Sequence, residues 1–193
     1  PRRFLELARA MTPKKPLILL KGGLTNEGAQ AAVAHTAALA SDERIAQGAL
    51  TQAGVVQVED YTHLVLAAKA LSWMGLPHGN RVSFMAPSGA MLVILTDLCR
   101  RRWGLEVPQV EENTRQRLQE ISPSYIRMRN PVDIWPAAYL HGIEFAYREA
   151  MEAVLQDPNI DAVVPILMLT KLIGVPPLDF LVELAQKYPE KPI

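Results

Sequence analysis

Cysteine is nearly absent from the 193-residue chain, with Cys99 as the only one. A single thiol cannot close a disulfide within the chain. A disulfide framework is excluded, and a reducing compartment suits the composition. Cys99 stands in an apolar run and reads as a buried structural thiol. Net charge is also lacking: 20 basic residues balance 20 acidic ones. No long-range field draws such a chain to nucleic acid or to an anionic membrane. The run Arg100–Arg101–Arg102 is short and reads as the polar side of a helix end. No apolar run reaches the length of a membrane span, and the start, Pro1-Arg2-Arg3-Phe4, lacks the pattern of a signal peptide. A cytoplasmic protein without membrane or nucleic-acid partners is expected. His63, His78 and His141 have no partners at a metal-ligand spacing, so no metal site is expected.

What the chain does have is apolar residues, 49% of the total, enough for a sizeable core. Short β-branched runs bounded by Gly or Pro occur at Pro16–Lys21, Gly54–Val58, Arg81–Ala86 and Asp161–Met168, and read as buried parallel strands. Helical patterns lie between them. Asp60 caps a segment reaching Trp73, with Leu64, Ala67, Ala68 and Leu71 on one face. Others run from Gly89 to Arg102, from Asn113, from Tyr139 to Leu155, and from Pro176 or Pro177. This alternation predicts an α/β fold of open parallel sheets with helices on both faces.

An internal echo predicts two related units. Phe4-Leu5-Glu6-Leu7-Ala8 precedes Lys15-Pro16-Leu17-Ile18, and Phe180-Leu181-Val182-Glu183-Leu184-Ala185 precedes Lys191-Pro192-Ile193. Each stretch is an amphipathic helix, a proline-broken turn, then Lys-Pro and a strand. Domains at 1–76 and 80–193 are expected, joined through the turn-rich Leu76-Pro77-His78-Gly79-Asn80. Pro1 opens directly into a helix pattern and Ile193 falls where a strand begins, so the expectation is a piece of a longer protein.

Three places could carry chemistry. The first strand runs into Lys21-Gly22-Gly23-Leu24-Thr25-Asn26-Glu27-Gly28, where glycines permit tight turns and close approach of a ligand. Small residues from Ala29 to Ser41 follow, with His35-Thr36 among them. This reads either as an alanine-rich helix with an incidental histidine or as a reachable imidazole able to carry a phosphoryl group. The second place is the turn Pro87-Ser88-Gly89-Ala90. It leads from a strand into a helix, so backbone amides and the positive dipole end converge there. A plain turn is the alternative. The third is Asn130-Pro131-Val132-Asp133-Ile134-Trp135, where Asp133 either ties the loop to nearby amides or lines a phosphate or nucleotide site.

Lys21, Gly23, Thr25, Gly28, His35, Thr36, Ala38, Leu39 and Ala40 together resemble the phosphohistidine segment of NDP-forming (ADP-forming) acyl-CoA synthetases, the succinyl-CoA synthetase superfamily. Asn130–Ile134 resembles an Asn-Pro-Val-Asp-Leu motif of the same family. The resemblance implies flavodoxin-like ligase domains in tandem, residues 1–76 being the C-terminal part of the first. It implies interconversion of acyl-CoA, NDP and phosphate with acid, CoA and NTP through phosphorylated His35. Gly22, Gly23, Thr36, Ser88 and Gly89 would bind phosphate, and Asn130 and Asp133 would support the site. Mg²⁺, ATP or ADP, and CoA are implied for a full enzyme, together with a CoA-binding Rossmann domain, an ATP-grasp domain or subunit, and an oligomeric assembly. Ala34 stands where the family has serine, Ala37 and Ser41 replace glycines, and Leu24 takes a place where arginine is common. These departures motivate a second expectation, a catalytically degenerate CoA-ligase-like module with a binding or regulatory role.

Overall fold

The computed structural model of the chain describes residues 2–36, 42–168 and 177–193, without the side chains of His35 and Thr36. The chain clusters into two compact units, Pro1–Trp73 and Met74–Ile193.

In the first unit, strands β1 (Ile18–Leu20) and β2 (Val56–Val58) pair in parallel, with Ile18 opposite Val56 and Leu20 opposite Val58. Helices α1 (Arg2–Met11), α2 (Asn26–Thr36), α3 (Glu43–Gln52) and α4 (Tyr61–Trp73) surround them in sequence. Two of these starts are capped as their residues suggest. Asp42 Oδ1 accepts the Ile45 amide at 3.1 Å, and Asp60 Oδ1 accepts the His63 amide at 2.7 Å. The core is small. Ala8 of α1, Leu50 of α3, Ala53 and Val55 pack with Leu5, Leu17 and Leu19. No residue of α4 is fully buried, and its expected inner face is only half covered at Leu64, Ala67 and Leu71 and exposed at Ala68.

One turn in this unit demands glycine. Gly54 has φ +70, and an added Cβ would lie 2.9 Å from Thr12 Oγ1. Thr12 is held there by donating its hydroxyl to the Ala53 carbonyl at 2.7 Å, tying the end of α1 to the end of α3.

In the second unit, parallel strands β3 (Val82–Ala86), β4 (Val132–Asp133) and β5 (Ala162–Pro165) form a sheet in the order β4-β3-β5. All five residues of β3 are buried. Val82, Phe84 and Ala86 face a cluster containing Leu92 and Cys99, on the helix α5 (Gly89–Leu98) and just beyond it. Met85 joins the opposite, larger core with Val132, Val163 and the helix α8 (Ile143–Leu155), including Tyr147, Ala150, Met151 and Val154. Helices therefore cover both faces, the condition under which a parallel strand can be apolar throughout. Helices α6 (Glu112–Glu120), α7 (Trp135–His141) and α9 (Asp179–Lys187) complete the unit.

Several boundaries differ from the sequence reading. The segment Tyr139–Leu155 is two helices, because Gly142 at φ +92 breaks α7 from α8. The helix expected from Gly89 to Arg102 ends at Leu98 and widens into a π-helical turn over Cys99–Trp103, closed by Gly104 at φ +63. Helix α6 starts at Glu112, one residue before Asn113. Pro177 stands ahead of α9, which starts at Asp179; Pro176 lies outside the described residues. Strand β5 stops at Pro165, and its far side is approached by the Pro192 carbonyl, which accepts the Val163 amide at 3.0 Å.

An ion pair joins the starts of β3 and β5. Arg81 Nε donates to Asp161 Oδ2 at 2.9 Å and Nη2 donates to Oδ1 at 2.6 Å, while the Arg81 amide also donates to Oδ2. The Arg81 side-chain hydrogen bonds hold the Asp161 carboxyl below its ordinary pKa, against the opposing effect of its burial. Gly79 makes room for this pair, since a Cβ there would sit 2.3 Å from Asp161 Oδ2.

Two consequences can be measured. Gly54→Ala should cost about 1–3 kcal/mol, from a left-handed backbone and a crowded Thr12; an unchanged denaturant midpoint would show that this turn relaxes freely. The Asp161 carboxylate stabilises the fold above its unfolded pKa of about 4, and that contribution is lost as the pH falls through the lower folded value. Asp161→Asn should therefore lower the melting temperature at neutral pH and flatten its decline on acidification.

Candidate functional sites

Each unit carries a turn at the C-terminal end of a strand, the place where open α/β sheets bind ligands. In the first unit β1 leads into Lys21–Leu24. Gly23 adopts φ +70, and a Cβ on Gly22 would meet nothing within 4 Å. Thr25 then starts α2: its Oγ1 accepts the Gly28 amide at 3.1 Å and its carbonyl accepts the Ala29 amide at 2.8 Å. Lys21 Nζ curls back onto the Gly22 carbonyl at 3.2 Å. The backbone of His35 and Thr36 forms the last turn of α2. The imidazole and the following residues 37–41 lie outside the described set.

In the second unit β3 ends at Ala86, and α5 begins after Pro87-Ser88. Ser88 is extended and makes no side-chain cap to the first turn, although its carbonyl accepts the Leu92 amide at 3.2 Å. Asp133 ends the neighbouring strand β4. Its Oδ1 accepts the Trp135 amide at 3.0 Å, and its Oδ2 lies 3.3 Å from where a Gly89 Cβ would be. The structure thus brings Gly89 and Asp133 together. The carboxylate rests against the positive end of α5, where negative charge is favoured.

Asn130 has a structural task that the sequence did not reveal. It is 1% exposed. Its Nδ2 donates to the Val82 carbonyl at 3.1 Å and to the Pro108 carbonyl at 2.8 Å. Along this side of β3, Glu106 serves the first residues and β4 serves the last. The Asn130 carboxamide fills the interval, donating to a ladder carbonyl as a strand amide would. Two carbonyl acceptors fix which end of the amide carries nitrogen. Asn130 Oδ1 is left buried without a hydrogen-bond partner.

A groove of about 430 Å³ lies beside this residue. Leu92, Val93, Val107 and Pro131 give it an apolar wall. Gly89 and Asp133 mark one end, Asp97 lies further along α5, and Gln109, Arg129 and Asn130 line the remainder. Sequence reading singled out Gly89, Asn130 and Asp133. It missed Asp97, Gln109 and Arg129, which carry no motif and meet only through the packing of α5 against the 107–109 and 129–133 segments.

Residues 1–71 match the succinyl-CoA ligase like flavodoxin domain. The chain is 35% identical over 92% of its length to the acetate–CoA ligase [ADP-forming] II subunit alpha of Pyrococcus furiosus. It is 32% identical over 90% of its length to the acetate–CoA ligase [ADP-forming] II of Archaeoglobus fulgidus. The chain belongs to the succinyl-CoA ligase superfamily. The flavodoxin-like α/β fold of that superfamily is shared with a solved structure, the dinucleotide-forming acetyl-coenzyme A synthetase 1 of Ca. Korarchaeum cryptofilum in complex with phosphate and ADP. The TM-score is 0.83 at 25% identity, covering 98% of this chain and 41% of that one. This superfamily member spans 38% of the Pyrococcus protein's length and 25% of the Archaeoglobus protein's. Among the described residues no helix is long and apolar enough to cross a membrane.

Asn130→Ala should destabilise the second unit by about 2–3 kcal/mol, because it strands the Val82 and Pro108 carbonyls without a donor. Chemical denaturation checks this, and a loss below about 0.5 kcal/mol would mean that water replaces the carboxamide.

Proposed function

We propose that this chain is the phosphoryl-carrying part of an ADP-forming acyl-CoA synthetase. The supporting observation is the Lys21–Gly23 turn followed by a Thr25-capped helix that runs to His35, within residues that match the ligase domain of the family. Phosphate oxygen attacks the thioester carbonyl of acyl-CoA, the C–S bond breaks, and CoA leaves as thiol with an acyl phosphate remaining. A ring nitrogen of His35 then attacks phosphorus, the P–O bond to the acyl group breaks, and the carboxylate departs. The β-phosphate oxygen of ADP takes the phosphoryl group as the P–N bond breaks, giving ATP and restoring the imidazole. Each step is a displacement whose chief demand is neutralisation of anionic oxygens.

The roles follow from charge. Gly22 and Gly23 form the anion position of the first unit, Thr36 adjoins His35 about 15 Å of helix away, and Ser88 and Gly89 present the amides of the α5 N-terminus as a second. Asp133 and Asn130 hold the loop beside that helix start. Two flavodoxin-like domains in tandem, divided near residues 76–80, would each contribute one position. A Rossmann domain for CoA and an ATP-grasp domain or subunit for nucleotide and Mg²⁺ complete the enzyme, in an oligomer in the cytoplasm. Relatives whose length this chain only partly spans support that division of labour.

Incubating the protein, assembled with its CoA- and nucleotide-binding domains, with ATP and Mg²⁺ should give an acid-labile, alkali-stable phosphoryl label. His35→Asn should abolish both label and turnover. Labelling and turnover that survive this substitution would remove the central residue. An unlabelled wild-type protein would instead favour the degenerate module suggested by Ala34, Ala37, Ser41 and Leu24.

A further inference from the structure

The groove beside α5 is a trough with one end at the helix start, where Gly89 and Asp133 line it together. Ser88 gives α5 no side-chain cap, so the amides of the first turn are left to a ligand or to water. The two oxygens of the Asp133 carboxylate stand differently. Oδ1 accepts the Trp135 amide at 3.0 Å, while Oδ2 lies 3.3 Å from the position a Gly89 Cβ would take. Asp133 joins no ion pair among the described residues. A carboxylate without a counter-ion therefore stands beside the very amides that favour an anion.

Such a pairing discriminates among anions. The amides and the helix dipole attract any oxyanion, and Arg129 in the same lining adds a cation. The ionised carboxylate opposes them, since it carries like charge and offers only acceptors. Asp133 is half-buried, so water screens that repulsion incompletely. An oxyanion that keeps an O–H group converts the repulsion into a charge-assisted O–H···O⁻ hydrogen bond. One without a proton meets the carboxylate with nothing to share. Phosphate keeps a P–OH at neutral pH as monoanion and as dianion, and arsenate keeps an As–OH in the same way. Sulfate keeps no proton. The three anions are alike in tetrahedral shape and close in size, so the proton is the property that this end of the trough can read.

Resting on the assignment of a phosphate to the α5 start given above, we propose that Asp133 determines the specificity of that position. Its Oδ2 accepts the P–OH proton, so the position admits protonated oxyanions and rejects sulfate. The repulsive element supplies the selectivity, because the amides alone bind either anion. Binding forms and breaks no covalent bond.

Backbone NMR of the 193-residue chain tests this without any turnover, with phosphate, arsenate and sulfate titrated in turn at neutral pH and constant ionic strength. Phosphate and arsenate should shift the Gly89 and Ala90 amide resonances with affinities at least about tenfold above that of sulfate. This comparison needs no variant. Asp133→Asn keeps an acceptor for the Trp135 amide and removes the charge. It should tighten sulfate and bring the phosphate and sulfate affinities within about twofold of each other. Sulfate binding as tightly as phosphate to the wild-type chain, or a ratio unmoved by Asp133→Asn, would overturn the role of Asp133 and leave phosphate at the helix start. Amides of Gly89 and Ala90 that answer to none of the three anions would remove phosphate from the α5 start, and this inference with it. Phosphorylation of His35 is scored separately in either case.

Discussion

Strand β3 has no water on either face, so every polar group of its backbone must find a protein partner. That requirement organises the second unit. On one side β5 runs parallel to it through four paired positions, Val82–Ala162 to Met85–Pro165. The other side is served in pieces: Glu106 at the start, the side chain of Asn130 in the middle, and the short β4 at the end. Arg81 and Asp161 then lock the strand starts, with Gly79 yielding the space. Once β3 is satisfied in this way, its end must deliver the chain to α5 beside Asp133, and the turn at Ser88-Gly89 is placed as a by-product.

An asparagine recruited to donate twice to carbonyls points its oxygen the other way, and that oxygen has no protein partner. A residue employed to complete a sheet thereby leaves one buried acceptor unsatisfied. Buried polar groups are costly when partly satisfied. Asn130 thus serves the fold through its nitrogen and leaves its oxygen buried and unpaired.

The first unit is held more lightly. Its core is a handful of small and medium apolar residues, and α4 leaves Val65, Leu66 and Trp73 exposed. The joint between α1 and α3, through Thr12 and Gly54, and the pairing of β1 with β2 are its contacts across long sequence separation. The α2 helix that ends in His35 starts with a threonine cap and has an alanine-rich body, so local propensity favours it. Local preference and tertiary need agree here, as they do for β3 and disagree for the segment around Gly142.

Periodicity and punctuation made the strands legible: the β-branched runs at 16–21, 54–58, 81–86 and 161–168 each contain an observed strand. Caps were legible where a short acidic side chain preceded the helix, as at Asp60. Gly142 was not, because a glycine within a helical pattern looks tolerable until its φ is known. The parallel α/β class and the superfamily motifs were therefore written in the residues themselves, since strand and turn chemistry act over a few positions. Tertiary structure alone decided that Asn130 completes a sheet, that Asp133 meets Gly89, and that Arg129, Gln109 and Asp97 line one trough. Those contacts join residues tens of positions apart, and no local pattern encodes a distance across the fold.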